Sequence, residues 1–153
     1  MRRVTAHPGN EPAPLAYRLA EATYELHAAL ERHLHDTLVE LDLTIPLSDA
    51  IWQLDPKLGP VSRRELAERL QCDPSNVTFL VDRLESRGLL TRARARDDRR
   101  IRTLALTPAG IEVRDRLIAT IADSSMFTSL TRAQQKQLAD LLQRAAGLRQ
   151  SSR

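Results

Sequence analysis

Six arginines fall between residues 92 and 102, at positions 92, 94, 96, 99, 100 and 102, and Asp97 and Asp98 sit among them. A guanidinium is a permanently charged fork of donors that matches carboxylate and phosphate oxygens in pairs. The spacing matters as much as the type. Arg92, Arg94 and Arg96 alternate with Ala93 and Ala95, and beyond the acids Leu104 and Leu106 alternate with small residues. Period two on both sides of an Asp–Asp turn predicts a β-hairpin, with three arginines on one face of its first strand. An arginine at such a tip suits a narrow groove of high negative potential. An aspartate there is repelled by phosphate, so Asp98 is expected to hold the fork of Arg100 or Arg96 in place. The weak-value alternative is an ordinary surface ion pair. Arg94, Arg96, Asp98, Arg99 and Arg100 are the candidates on this hairpin, with Arg100 ahead of Arg99 as the groove-entering residue.

The segment before the hairpin must position it. "SRRELAERL" opens on Ser62 with Glu65 three residues later, a capping box, and buries Leu66, Ala67 and Leu70. "QCDPSN" breaks that helix and starts another, with Asp73 as the expected cap and Pro74 in the first turn. Val77, Leu80, Val81 and Leu84 form the apolar stripe of the second helix, and Gly88 stops it. Two short helices joined by a tight turn outline a helix-turn-helix, and a hairpin directly after them makes a winged helix.

The opposite face of the second helix carries Ser75, Asn76, Thr78, Phe79, Asp82 and Arg83. Its first-turn N–H groups, beside Ser75, favour a phosphate. Asn76 can pair with adenine, Thr78 can touch a thymine methyl, and Arg83 can reach guanine or phosphate. Phe79 is open between partial burial and an apolar base contact. Arg63 and Arg64, at the start of the first short helix, are phosphate-contact candidates, with plain solvation as the alternative.

Helices flank this centre. Leu15, Leu19, Ala22, Leu26, Leu30 and Leu34 recur at helical spacing from Pro14 to about Val39. "LTIPLSDAIWQL" follows with Thr44 as a cap, and "DPKLGP" ends it. After Thr107-Pro108 a helix runs to about Ala122, and "DSSMF" separates it from a last helix with a second capping box, Thr131 and Gln134. The terminal helices carry more apolar face than a small winged helix covers, so they are expected to cover each other in a homodimer. The fold class expected is therefore mainly α with a small β-hairpin wing, a winged helix-turn-helix inserted between N- and C-terminal dimerisation helices. Its divisions are a tail at 1–12, support and dimerisation helices at 13–60, the winged helix at 61–107, dimerisation helices at 108–148, and a tail at 149–153.

Composition sets the outer bounds. In 153 residues, 42% are hydrophobic and only 3% aromatic, which suits a Leu/Ala/Val/Ile helical core. The net charge of +3 is a mild bias toward polyanions. With one cysteine, Cys72, no disulfide can form within the chain, and a reducing cytoplasm is expected. The start "MRRVTAHPGNEPAP" has no apolar core for a signal peptide, and no apolar run is long enough to span a membrane. His33 and His35 are two apart, on different helix faces, and no zinc spacing, phosphate loop or nucleophile elbow occurs. No enzyme activity, metal or cofactor is expected.

The run "SRRELAERLQCDPSNVTFLVDRLESRGLLTRARARDDRRIRTLALTPAG" resembles the central segment of the MarR family of bacterial transcription regulators. "VTFLVDRLESRGLL" and "DDRRIRTLALTPAG" are its most specific parts, and the likeness covers roughly residues 15 to 147. The resemblance implies a homodimeric, cytoplasmic repressor that binds double-stranded, pseudo-palindromic DNA and releases it when a small effector binds. It places an effector pocket between the first two helices and the winged helix, where Tyr17, Tyr24, His33 and Trp52 are candidates by residue type. Two departures stand out. Many relatives have arginine or another polar residue where this chain has Phe79, and thiol-sensing relatives place their cysteine near the first helix, whereas Cys72 lies in the turn before the recognition helix. A buried structural thiol is expected there. The alternatives are a thiol-responsive regulator using Cys72 and a winged-helix protein-interaction module that does not read DNA.

Overall fold

The computed structural model describes residues 14–94 and 102–147. The chain forms α1 (Leu15–Glu40), α2 (Ile45–Gln53), β1 (Val61–Ser62), α3 (Arg63–Leu70), α4 (Pro74–Ser86), β2 (Leu90–Arg94), β3 (Arg102–Leu106), α5 (Pro108–Ala122) and α6 (Arg132–Ala145). It is mainly α with a small antiparallel sheet, as the hydrophobic periods predict.

The sheet has one strand more than expected, in the order β1-β3-β2. Val61 pairs with Leu104 and Ser62 with Thr103, while Leu90 to Arg94 pair with Leu106 to Arg102. Two residues are too few to show a period, which is why β1 was not legible in advance. Single 3-10 turns at Pro56–Leu58 and Ser125–Phe127 were likewise unforeseen.

Both capping boxes form. Ser62 Oγ accepts from the Glu65 N–H at 3.2 Å, and the Ser62 N–H donates to Glu65 Oε2 at 2.6 Å. The backbone N–H of Ser62, and after it the Ser62 hydroxyl, hold the Glu65 carboxyl below the ordinary carboxylate range. Thr131 and Gln134 repeat the arrangement on α6. The caps expected of Thr44 and Asp73 do not form: each holds the cap position without a side-chain bond. At Thr44, Pro46 removes one of the two N–H groups a cap accepts from, and the hydroxyl leaves the other, that of Leu47, unused. At Asp73 the Asn76 N–H turns instead to the Asp73 carbonyl, at 3.0 Å.

The core sits where α2, α3 and α4 meet the sheet. Ile51, Leu66, Val77, Val81, Leu84 and Leu104 are almost wholly buried in it, joined by Leu38 of α1 and Leu117 of α5. The terminal helices behave differently. Leu15 and Leu19 of α1 are exposed, and α6 contributes no buried residue although Leu138, Leu141 and Leu142 share a stripe.

The hairpin is pinned at its base. Gly88 adopts φ +69°, which ends α4 in the left-handed region that glycine enters without steric cost. The Thr107 N–H donates to the Leu89 carbonyl at 3.1 Å, and Thr107 Oγ1 donates to the Gly88 carbonyl at 2.6 Å while capping the Gly110 N–H at 3.1 Å. Gly110 lies so close to this crossing that a Cβ there would stand 2.0 Å from the Leu89 carbonyl oxygen. Replacing Gly110 by Ala is expected to destabilise the protein by at least about 1–3 kcal/mol in chemical denaturation. The exposed neighbour substitution Ala109→Ser should cost only about 0.5 kcal/mol. Equal costs at the two positions would refute the close-approach account.

Candidate nucleic-acid interface and effector cavity

One face of α4 is buried through Val77, Leu80, Val81 and Leu84, so helix geometry turns the residues between them outward. Ser75, Asn76, Phe79, Asp82 and Arg83 are exposed, and Thr78 is half-buried with its hydroxyl donating to the Pro74 carbonyl at 3.0 Å. Phe79 is 68% exposed, which decides against a core role for it. The structure therefore brings Ser75, Asn76, Thr78, Phe79 and Arg83 onto the face expected of them.

Of the hairpin candidates, Arg94 ends β2, whereas Arg96, Asp98, Arg99 and Arg100 lie outside the described residues, as does the expected pairing of Asp98. Arg92 has a role that its place in the arginine series concealed. Its guanidinium pairs with Asp82, and its Nε lies 2.9 Å from Glu85 Oε2, off the direction of a hydrogen bond. Its side chain is only 22% exposed. Arg92 thus ties the first hairpin strand to the outer face of α4. The available signal was the pair Asp82 and Glu85, three apart on one helix face, facing an arginine on the strand that follows.

At the start of α3, Arg64 pairs with Glu68 one turn on at 3.0 Å, and Arg63 is exposed with no ion pair among the described residues. Cys72 is a free, half-buried thiol packed against the edge of the core, in a turn where Gln71 takes φ +51°. Arg87, just past α4, donates to the Leu41 carbonyl at 2.6 Å and to the Asp42 carbonyl, gripping the end of α1.

A second feature lies on the other side of α2. An open cavity of about 510 Å³ is lined by Leu26, Leu30 and Leu34 of α1, Trp52 of α2, and Leu117 and Ile121 of α5, and is bordered by Phe127 and Leu142. That volume suits a small organic molecule. Of the pocket candidates, Trp52 lines it. Tyr17 and Tyr24 are exposed on α1 and do not, and His33 instead places Nε2 2.8 Å from the Thr120 carbonyl of α5. Sequence reasoning missed the polar lining: Thr23, His27, Ser48 and Asp49. Crowding by apolar neighbours raises the Asp49 carboxyl above its ordinary range; His27 pulls it back down and Glu31 adds to the rise. The four residues stand on two helices, so no short motif announces them.

Known proteins share this arrangement. The MarR family model matches residues 52–101. The HTH-type transcriptional repressor MdtR of Bacillus subtilis (strain 168) is 43% identical over 54 residues, covering 35% of each chain. An uncharacterized HTH-type transcriptional regulator of the same organism, YkoM, is 31% identical over 102 residues, covering 65% of this chain and 66% of that one. The chain thus spans about a third and about two thirds of these curated relatives. The crystal structure of CouR from Rhodococcus jostii RHA1 bound to p-coumaroyl-CoA superposes with a TM-score of 0.74 at 27% identity, over 88% of this chain and 96% of that one. Among the described residues no helix is long and apolar enough to cross a membrane. The matched centre and the fold around it agree, and residues 52–101 form a MarR family domain.

Proposed function

We propose that this protein is a sequence-specific, double-stranded-DNA-binding transcription regulator. In this reading it is a cytoplasmic homodimeric repressor that leaves a pseudo-palindromic operator when a small molecule occupies the α1–α2–α5 cavity. One observation carries the reading: the outer face of α4 presents Asn76, Phe79 and Arg83 to solvent beside a hairpin that Arg92 ties to the same helix. Base edges in a major groove are read from such a face, and the strand pair beside it reaches the adjoining backbone and minor groove. The uncovered stripes of α1 and α6 support a second copy as their cover, with recognition helices about one helical turn apart. Effector release is supported by the cavity and by CouR, which holds p-coumaroyl-CoA. A docking-only winged helix and a Cys72 switch are not favoured: the relative with a named role is a repressor, and the thiol packs against the core edge.

Three experiments test this, each on an operator selected from random duplexes with the full chain. Asn76→Ala should weaken binding by about 1–3 kcal/mol and relax preference at one base pair. Unchanged affinity and preference would remove Asn76 from the reading face. Asp82→Ala separates tethering from bulk charge. Removing an acid near DNA should strengthen binding if charge alone matters, but losing the Arg92 tether should weaken it roughly tenfold. Tighter binding by the variant would refute the tether. Finally, Leu141→Glu on α6 should convert a dimer to a monomer in sedimentation velocity and abolish high-affinity binding. A wild-type chain that sediments as a monomer while holding the full palindrome would overturn the dimer.

A further inference from the structure

Three of the four polar groups that line the cavity, Thr23, Ser48 and Asp49, present acceptors to it. The Thr23 hydroxyl donates to the Leu19 carbonyl at 2.8 Å, and the Ser48 hydroxyl donates to the Ile45 carbonyl at 2.8 Å. Each proton is committed to its own helix, so each oxygen meets the cavity through its lone pairs. Asp49 adds a carboxylate, and His27 is drawn toward Glu31, with Nε2 3.3 Å from Glu31 Oε1. Among the described lining residues none is lysine or arginine. The walls are otherwise apolar, with Trp52 and Phe127 offering aromatic faces and Met126 a polarisable thioether.

A carboxylate-bearing ligand would meet the carboxylates of Asp49 and Glu31, with only His27, already paired with Glu31, to set against them. A ligand whose polar end donates hydrogen bonds and carries positive charge meets the opposite conditions. Its N–H groups find the Asp49, Ser48 and Thr23 oxygens, and its charge is attracted by the carboxylates and by the aromatic faces. The apolar body then fills the space among Leu26, Leu30, Leu117 and Ile121. We infer that the effector this cavity selects is a lipophilic organic cation, an aromatic or alkyl body ending in a protonated amine or amidine, with Asp49 as its counter-ion. The inference rests on the cavity being the effector site. The raised Asp49 carboxyl agrees with it, because a carboxylate crowded by apolar groups gains most from an incoming cation.

Trp52 is the only tryptophan of the chain and lines the cavity, so its fluorescence reports occupancy directly. The test titrates the full-length protein with 4-phenylbutylammonium, 4-phenylbutanol and 4-phenylbutyrate, which share one body and differ in the polar end. The ammonium should bind at least roughly tenfold more tightly than the carboxylate, with the alcohol between them. Asp49→Asn should bring the ammonium close to the alcohol. Asp115→Asn, which makes the same charge change at an exposed position of α5 outside the cavity, should preserve the order. Equal binding of the three, tighter binding of the carboxylate, or discrimination that survives Asp49→Asn overturns the ligand class while leaving the cavity as a site. If none of the three alters Trp52 fluorescence or binds by calorimetry, the cavity reading falls too. Operator binding by the same samples, measured without ligand, tests the DNA reading separately.

Discussion

The hairpin depends on one crossing of the chain. It leaves at Gly88–Leu89 and returns at Thr107–Gly110, and these two points are bonded to each other. Everything between them is a closed loop whose base cannot drift from the end of α4. Three local choices make this possible: a glycine that turns the chain at the end of α4, a threonine that both donates to that end and caps α5, and a glycine with no Cβ where α5 passes the Leu89 carbonyl. None is a large energy alone. Together they fix the angle between recognition helix, sheet and α5. Both the exposed face of α4 and the α5 wall of the cavity inherit that angle.

Arginine has two distinct uses in this chain. Arg92, Arg87 and Arg69 are structural forks: Arg92 on the carboxylates of α4, Arg87 on the Leu41 and Asp42 carbonyls just past α1, and Arg69 on the Gln53 carbonyl at the end of α2, at 2.8 Å. Arg114 adds a fourth, 3.3 Å from Asp55 and largely buried. Carbonyls at helix ends have no partner within the helix and carry the negative end of its dipole, so a planar cation with several donors suits them better than a lysine does. A basic composition is therefore a poor measure of how much positive charge faces outward. Arg83 and Arg63 remain exposed without ion pairs among the described residues, so their charge faces outward where that of Arg92 does not.

The helices, their order and the buried stripe of α4 could be read from spacing because burial imposes a period, and Val77, Leu80, Val81 and Leu84 obey it. The outer face followed from the same period, since residues not in the stripe must point elsewhere. What escaped was set by contacts distant in sequence. β1 is two residues whose strand character exists only because Leu104 and Thr103 lie beside them. Arg92 read as one more member of an alternating basic series until Asp82 and Glu85 were seen to face it. The expected caps at Thr44 and Asp73 do not form, and at Asp73 the backbone carbonyl takes the N–H that the side chain would have held. The cavity was the least legible part. Trp52 could be guessed by type, but His27 and Asp49 belong to different helices and are brought together by packing alone.

α2 stands between the cavity and the core that carries α4. Leu47, Ala50, Ile51 and Leu54 of this segment are buried in the core with α3 and α4, and Ser48, Asp49 and Trp52 line the cavity. The helix has nine residues and hardly any that belong to neither side. Its C-terminal carbonyl at Gln53, next to Trp52, is gripped by Arg69 of α3. A partition packed on both faces does not deform gradually, because close-packed side chains resist small shifts and give way to a different packing only as a unit. The wall of the cavity and the packing of α3 and α4 therefore share one short helix, through the same leucines and isoleucine that hold the fold together.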